Sequence, residues 1–322
     1  MNRRRLPLLL TGGLLSAGAL MAAILCGSAG CSVSAEFTSL IALRAPRAVT
    51  GFTVGALLAL AGALMQLLLR NPLADPYVLG VSGGSATGAM LAALLFPAIA
   101  VPVAMQFGAL GGALLSVLLM FMLAWRKLSG LSSRDTLPGA SLILTGVMIS
   151  AGFGALITLL MSLSSDSTLR GTLFWLMGDL DAEAYPVWAM AALLVSASWA
   201  SLNAGALNVL AHGEVTAQLL GLNVRRMRMM ALLIASLATS AAVAAAGAIG
   251  FIGLVVPHLL RLRLGNDQRL LLPASVLLGG SALVLADLAA RTVVAPVQLP
   301  VGVVTALIGV PVFLYLLRRS RA

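Results

Sequence analysis

Long apolar runs separated by short polar breaks extend along the whole chain, and they predict membrane-spanning helices. About 20 apolar residues are enough for a helix to cross the ~30 Å hydrocarbon core of a bilayer. Breaks rich in proline, glycine or charge divide this chain into ten such runs, near residues 6–26, 48–69, 78–95, 103–124, 139–162, 185–202, 229–247, 250–264, 271–290 and 301–317. The third and eighth runs are short, so we expect these helices to be tilted or buried among neighbours.

The composition supports a membrane protein and excludes a water-soluble one. Of the 322 residues, 60% are apolar and only 9% are charged, and the mean hydropathy is +1.05. Soluble domains carry about 25% charged residues. No hydrophilic stretch is long enough to form a second domain. We therefore predict that residues 1–322 form one all-α integral membrane domain of about ten transmembrane helices.

The basic residues cluster in alternate breaks between the predicted spans. If both termini are cytoplasmic, 16 of the 20 basic residues lie inside, and only Arg44, Arg47, Arg170 and Arg291 lie outside. Cytoplasmic loops of membrane proteins carry such an excess of arginine and lysine. The bias predicts cytoplasmic termini and accounts for the net charge of +10. Because no basic run is interleaved with aromatic residues, nucleic acid is not expected as a partner.

Cys26 and Cys31 have a spacing that indicates neither a metal site nor a redox pair. Residues 28–31, Ser-Ala-Gly-Cys, follow a basic start and an apolar stretch, as at the end of a bacterial lipoprotein signal. A lipoprotein would continue as a soluble domain, whereas this chain continues as further apolar runs. We therefore interpret residues 6–26 as a retained first span.

Residues that carry chemistry are scarce within the predicted spans. Asp287 is the one carboxylate there, in the outer half of the ninth run, and His212 and His258 fall near cytoplasmic ends. Ion-driven transporters usually hold ionisable groups in mid-membrane. The sequence also lacks an HExxH motif and a Walker-type phosphate loop. We predict no catalytic site, no metal site and no ATPase in this chain, so the energy for active transport would come from a partner.

Glycines recur within the predicted spans at spacings that suit helix packing. Small residues let helix backbones approach closely in a membrane. An alternative is that such glycines mark unwound segments that coordinate a substrate. Packing is the favoured interpretation for Gly51, Gly55, Gly84, Gly88, Gly108, Gly112, Gly152 and Gly154.

Several motifs occur in a characteristic order along the chain. They are RAPR at 44–47 with NPLADP at 71–76, LGVSGG at 79–84, GEVTAQLLG at 213–221, GAIGFIGLVVPH at 247–258 and LPVGVVTALIG at 299–309. Each alone is a weak signal. Together they resemble the membrane permease family that serves iron–siderophore, haem and vitamin B12 ABC importers, the FecCD type. The resemblance covers essentially everything after the first predicted span.

The resemblance implies the permease subunit of an ATP-driven importer in the bacterial inner membrane. Such a permease forms a homodimer and assembles with two cytoplasmic ABC ATPase subunits and a soluble periplasmic substrate-binding protein. The implied cargo is a large metal chelate, cobalamin or an iron–siderophore and less so haem, carried to the cytoplasm by alternating access along the dimer axis. ATP and Mg would be bound by the partner ATPase. No cofactor and no enzymatic activity are therefore expected in this chain.

The resemblance also implies where the soluble binding protein docks. Residues matching Arg44, Arg47 and Arg291 receive glutamates of the binding protein in this family. The alternative is that all three arginines anchor helices or pair with Glu36 and Asp287. The proline between Arg44 and Arg47 is expected to hold a rigid turn.

Two cytoplasmic elements are implied by the same resemblance. The segment at about 203–228 would couple to the ATPase through Glu214, Ala217 and Gly221, with the alanine permitting close approach and the glycine a chain reversal. The alternative is an ordinary amphipathic connector capped by a glycine. Asn71 and Leu73 match a cytoplasmic gate, although Asn-Pro-x-x-x-Pro is also a helix stop and turn. No residue of a second gate is assigned, because the connector 129–138 departs from the family pattern.

The fifth predicted span would border the transport path. A surface of small and weakly polar residues would suit a bulky chelate, and helix packing is the alternative explanation for them. These residues are Ser150, Gly152, Gly154, Thr158 and Met161. Two other functions stay open. An ion-coupled secondary transporter or channel is disfavoured by the missing intramembrane charge, and a structural or signalling membrane protein would carry no flux. Retention of an ATPase subunit in detergent would separate these possibilities.

Overall fold

A computed structural model describes residues 5–28, 30–31, 37–96, 101–128, 138–164, 173–180 and 185–319, and a helix coincides with each of the ten predicted spans. The helices in chain order are α1 (Arg5–Leu25), α2 (Phe37–Leu68), α3 (Val81–Leu95), α4 (Val101–Leu128), α5 (Pro138–Leu163), α6 (173–176), α7 (Val187–Leu202), α8 (Ala204–Ala211), α9 (Glu214–Leu219), α10 (Val224–Ala246), α11 (Ile252–Leu264), α12 (Gln268–Thr292) and α13 (Val301–Arg319).

Length and composition separate these helices into two groups. Among the described residues, α1, α2, α4, α5, α10 and α12 are each long and apolar enough to cross a membrane. Helices α7 and α8 would add a seventh span as one broken unit, since they meet at an angle of 63°. Helices α3 and α11, the third and eighth predicted runs, are indeed short, at 15 and 13 residues. The chain is thus an all-α membrane protein, while the count of ten spans and the cytoplasmic termini stay predictions.

Helix α2 lies at the centre of the bundle. In its most apolar window, 89% of the residues are buried, and α1, α7, α10, α11 and α12 pack around it. The helix begins at Phe37, eleven residues before the predicted start. Pro46 lies inside it and does not interrupt it. The expectation that this proline holds a turn was therefore wrong. Proline is tolerated in membrane helices, where neighbouring groups satisfy the freed backbone.

Glycines bring several helix pairs into backbone contact. A side chain at Gly88 would overlap the carbonyl of Gly108, and one at Gly84 would overlap that of Gly112, so the close approach of α3 and α4 requires glycine at these four positions. Gly55 meets Gly279 between α2 and α12 in the same way. The packing interpretation of these positions is confirmed.

The two cysteines form a disulfide, which corrects the expectation from their spacing. Two-residue strands β1 (Cys26–Gly27) and β2 (Gly30–Cys31) pair antiparallel between α1 and α2, and Cys26 is bonded to Cys31 across them. Sequence spacing alone does not reveal such a pair, because the tight turn that brings the two sulfurs together is a feature of the folded hairpin. The disulfide closes the hairpin that follows α1.

Ionic contacts mark the two opposite ends of the bundle. At one end, the Asp287 end, Arg47 of α2 contacts Asp287 of α12. At the other, the Glu214 end, Arg70 lies just beyond α2 and approaches Glu214 of α9. From Arg47 to the end of α2 at Leu68 is ~30 Å at 1.5 Å per residue. The charged ends are thus separated by about one hydrocarbon thickness.

Candidate functional site

Asp287 lies between two arginines at the Asp287 end, and only 2% of its surface is exposed. Arg47 approaches it with Nη2 2.9 Å and Nε 3.1 Å from Oδ1. Arg291, one turn further along α12, has Nε 2.9 Å from Oδ2. The Arg47 Nη1 atom also donates to Oε1 of Gln298 at 3.2 Å. One carboxylate therefore faces two guanidinium groups, so these three side chains together carry a net positive charge.

Arg44 caps the end of α1 and makes no ion pair with a described residue. Its Nη1 donates to the carbonyl oxygen of Leu25 at 2.8 Å, and its Nη2 to that of Gly30 at 3.5 Å. The last carbonyls of a helix have no partner within the helix and carry the negative end of its dipole, so a buried cation is stable there. The arginine is only 8% exposed. Arg44 thus anchors a helix.

The alternative interpretation of the three arginines is therefore confirmed in part. Arg47 and Arg291 pair with Asp287, and Arg44 anchors α1, whereas Glu36 lies outside the described residues. Docking of a binding protein stays a prediction. Arg47 also contacts the exposed residue Gln298.

The three residues assigned to ATPase coupling all shape the segment in which they lie. Glu214 at the start of α9 pairs with Arg228 Nη1 at 2.9 Å and lies 3.8 Å from Arg70 Nη2. Ala217 is fully buried against α8 and α10. The small side chain of Ala217 therefore permits α9 to pack closely against α8 and α10 of the same chain. The coupling role itself stays a prediction.

Gly221 ends α9 in the left-handed conformation, with φ +80°. The N–H of Leu222 donates to the carbonyl of Ala217 at 2.9 Å, and the N–H of Gly221 to that of Gln218 at 2.9 Å. This pair of bonds is the Schellman motif, which requires a positive φ that glycine adopts without steric cost. The predicted chain reversal at Gly221 is confirmed.

The exposed surface of α9 is apolar, a feature that the sequence motif did not reveal. Val215 is 71% exposed, Leu219 is 83% exposed and Leu220 is 68% exposed. Val215 and Leu219 are four residues apart, so they share one face of the helix. The sequence did offer one signal. If Ala217 packs inward, Val215 and Leu219 lie on a different side of the helix from it. An exposed apolar surface marks a contact with another protein or with a membrane.

Asn71 and Leu73 lie in a tight turn directly after α2. The Asn71 Oδ1 atom accepts from the backbone N–H of Leu73 at 3.0 Å, and the Asn71 carbonyl accepts from that of Ala74 at 3.0 Å. Arg70, just before them, has a positive φ of 47°. The predicted helix stop and turn is confirmed, and the gate stays a prediction. The connector 129–137 lies outside the described residues.

Tyr77 connects this turn to the break between α10 and α11. Its hydroxyl donates to the carbonyl of Ile249 and accepts from the N–H of the same residue, both at 3.0 Å. Ile249 lies outside the two helices, so this hydroxyl satisfies backbone groups that have no helical partner. Asp75 caps the turn by accepting from the Tyr77 N–H at 2.8 Å. Burial raises the pKa of the Asp75 carboxyl to about 6, and this N–H partly opposes the shift.

Replacing Tyr77 by phenylalanine is expected to lower the stability of the protein. The variant keeps the ring but leaves the N–H and the carbonyl of Ile249 without their partner, and a buried unsatisfied polar group costs about 1–3 kcal/mol. The measurement is the thermal unfolding midpoint in detergent. Tyr185→Phe is the control, because Tyr185 is 52% exposed. Equal midpoints for the two variants would contradict the bridging role.

Helix α5 is exposed along most of its described length. A side chain built at Gly152 or Gly154 would meet nothing within 4 Å, in contrast to the glycines of α3 and α4. Thr158 is exposed as well, and its hydroxyl donates to the carbonyl of Gly154 at 3.0 Å. Gly152 and Gly154 therefore do not bring α5 into close contact with another helix of the same chain. Ser150 and Met161 are partly buried.

Comparisons with known proteins connect this architecture to transporters. The model of the FecCD transport family matches residues 6–319. The vitamin B12 import system permease protein BtuC of Vibrio cholerae is 40% identical over 279 residues, which cover 86% of this chain and 82% of the relative. The cobalamin import system permease protein BtuC of Halobacterium salinarum is 43% identical, with 86% of this chain and 72% of the relative covered.

A solved structure is similar over nearly the whole chain. It is an inward-facing conformation of an ABC transporter provisionally assigned to the metal-chelate type. The TM-score is 0.86 at 29% sequence identity, and the alignment covers 97% of this chain and 98% of the other.

Proposed function

This chain belongs to the FecCD transport family, and we propose that it carries vitamin B12 or a related metal chelate across the membrane. It is the permease of an ABC importer and a multi-pass protein of the inner membrane. The observation that carries the cargo proposal is the 40% identity, over 86% of this chain, to a permease named for vitamin B12 import. Iron–siderophore chelates are the second candidate and haem is the third.

Uptake into proteoliposomes tests the cargo. The permease would be reconstituted with its ATPase and its binding protein and given labelled cobalamin, a ferric siderophore or haem. We expect ATP-dependent accumulation of cobalamin and background levels of the other two. Accumulation of the siderophore alone would overturn the cargo but keep the importer. Uptake that follows an ion gradient and needs no ATP would instead favour the ion-coupled alternative.

We place the Glu214 end in the cytoplasm and the Asp287 end outside. The distribution of arginines supports this orientation. The disulfide supports this orientation independently, because it lies at the Asp287 end. Arg44, three residues before Arg47 on α2, donates to Gly30 of the disulfide-bonded hairpin. Disulfides persist in oxidising compartments such as the bacterial periplasm and are rare in the cytosol.

In this orientation the apolar face of α9 is available to a cytoplasmic ATPase subunit. Val215, Leu219 and Leu220 would be buried in that contact, while Glu214, Ala217 and Gly221 hold the helix in place from within. ATP and Mg would be bound by the ATPase and not by this chain. The turn at Asn71 and Leu73 lies next to the same end, which supports its assignment as a cytoplasmic gate.

A second copy of the chain is proposed to cover the exposed face of α5. Gly152, Gly154 and Thr158 would then border a path between two subunits instead of lipid. A homodimer would accommodate two ATPase subunits, and the path would open alternately toward each end. The similarity to an inward-facing ABC transporter structure supports this arrangement.

The Asp287 end is the proposed docking surface for the periplasmic binding protein. A polar cavity of about 130 Å³ opens there beside Arg47, and Phe174, Asp179 and Gln298 also line it. The net positive charge of the arginine cluster suits acidic side chains on the partner. Complementary charge of this kind raises the association rate more than the affinity.

Replacing Gln298 by glutamate tests docking without disturbing the buried ion pairs. Gln298 is exposed and accepts from Arg47, so a carboxylate in its place would neutralise the charge offered to a partner. We expect a roughly five-fold slower association with the loaded binding protein at low salt, the size of an exposed ion pair. The measurement is surface plasmon resonance, with Gln298→Ala as the control. An unchanged rate at low salt would contradict the docking surface.

A further inference from the structure

An apolar crevice opens on the side of the bundle between α1, α2, α7 and α12. Its volume is about 240 Å³, and eight of its nine lining residues are apolar. Leu9 and Leu272 line it from the first five residues of α1 and α12, and Ser201 lines it from the last turn of α7. These three helix ends lie at the Glu214 end, so the crevice reaches from the bundle edge into the membrane. No residue of α5 lines it.

Water is a poor occupant of this crevice. A buried water needs two to four polar partners, and Ser201 is the single polar side chain in the lining. The surrounding solvent is the bilayer, whose acyl chains are the apolar groups available to fill such a space. The crevice therefore suits one acyl chain.

Arg269 lies at the mouth of the crevice. It is one turn before Leu272 and Pro273 on α12, and residues three and four apart share a helix face. Its guanidinium lies against Gly205, with Nη2 3.3 Å from where a Cβ would be. Gly205 lies at the start of α8, directly after the break that follows Ser201. The lining residues and the cation thus form one continuous surface, apolar inside the membrane and positive at its edge.

The charge of Arg269 has no counterion among the described residues. Arg269 is exposed, and its guanidinium forms no hydrogen bond and no ion pair with a described residue. The neighbouring Asp267 uses its Oδ1 for Asn208 and for the Arg269 backbone N–H. Pro273 has no N–H, so it cannot bond the Arg269 carbonyl as an ordinary residue would. A cation and a backbone acceptor are therefore both present at the level of a lipid headgroup.

We infer that this surface is a binding site for an anionic phospholipid of the phosphatidylglycerol kind. One acyl chain fills the crevice, the phosphate contacts Arg269, and the glycerol hydroxyls lie near the Arg269 carbonyl. The phospholipid bridges α1 to α7 and α12, and so stabilises the edge of the bundle. The inference requires only that the chain lies in a membrane and does not depend on its cargo.

Lipid retention by the full-length protein tests the site. The protein would be exchanged into detergent with phosphatidylglycerol or with phosphatidylcholine of the same acyl chains, and bound lipid counted by native mass spectrometry. We expect wild type to retain phosphatidylglycerol roughly five-fold better, the selectivity that one arginine supplies near an anionic surface. Arg269→Gln should lose this selectivity. The control Arg263→Gln, another exposed arginine at the same end, should keep it.

Filling the crevice tests the acyl-chain part separately. Ser201→Phe should remove retention of both lipids, whereas Ser198→Phe should not, because Ser198 is exposed on the same helix but does not line the crevice. Soluble glycerol phosphate should not raise the unfolding temperature, while phosphatidylglycerol should. Equal retention of the two lipids by wild type, or full selectivity in Arg269→Gln, would overturn the site. Gel filtration would establish that each variant is folded.

Discussion

Replacing Val215 and Leu219 together by glutamate is expected to release the ATPase subunit and reduce uptake to background. Both side chains are more than two-thirds exposed on α9, so the substitutions remove none of the packing inside the chain. Complete burial of one such side chain in a contact contributes about 1.5–3 kcal/mol. Losing two should weaken the ATPase complex at least a hundred-fold. Co-purification of the ATPase in detergent and ATP-dependent uptake measure the two effects.

The neighbouring Gln218 provides the matched control for this experiment. It is exposed on the same helix, and Gln218→Glu adds a charge without removing an apolar contact. We expect that variant to retain the ATPase. Retention by the Val215/Leu219 double variant as well, with normal uptake, would exclude α9 as the docking element. A bulky residue at Ala217 is a poorer test, because Ala217 is buried and its substitution would disturb the fold directly.

Replacing Asp287 by asparagine is expected to cause the largest loss of stability of any single charge change here. The carboxylate faces Arg47 and Arg291, and Arg291 is itself only 4% exposed. Without it, the guanidinium groups of Arg47 and Arg291 repel each other and lose the carboxylate that lies between them. Removing one partner of a buried ion pair costs about 3–5 kcal/mol. The thermal unfolding midpoint in detergent measures the effect.

A second substitution separates loss of charge balance from loss of shape. Adding Arg291→Met to Asp287→Asn removes one of the two guanidinium groups that repel each other, and we expect it to recover much of the lost stability. Glu214→Gln is the comparison at the other end of the bundle, where the acidic side chain is about a third exposed. Solvent reaches Glu214 although Arg228 is buried, so we expect that variant to lose less stability than Asp287→Asn. Equal losses at Asp287 and Glu214 would contradict the assignment of Asp287 as a buried counter-charge.

The helices and their packing could be largely predicted from the sequence. Each apolar run coincides with a helix because a chain in lipid has to satisfy its backbone hydrogen bonds within each segment. The contacts at Gly84, Gly88, Gly108 and Gly112 follow from the same local signal, since only glycine at these positions permits the backbones to touch. The start of α2 was predicted too late, because the helix continues through Pro46.

The direction of individual side chains could not be predicted in this way. The motif around Glu214 was recognised, yet the motif residues point inward, and the exposed face consists of Val215, Leu219 and Leu220. Ala217 is small because α8 and α10 lie against it, which becomes visible only when the three helices are assembled. The disulfide between Cys26 and Cys31 likewise depends on the hairpin that joins two helices.

By itself, the sequence determined the membrane class, the helices and the family, because hydrophobicity and short motifs are local properties of the chain. Only the tertiary structure decided which groups are partners. Arg47 and Asp287 are 240 residues apart, and Tyr77 and Ile249 are 172 residues apart. Whether such groups meet depends on the rotation and the tilt of several packed helices at once. These long-range contacts place the charge balance at one end of the bundle and the exposed apolar face at the other.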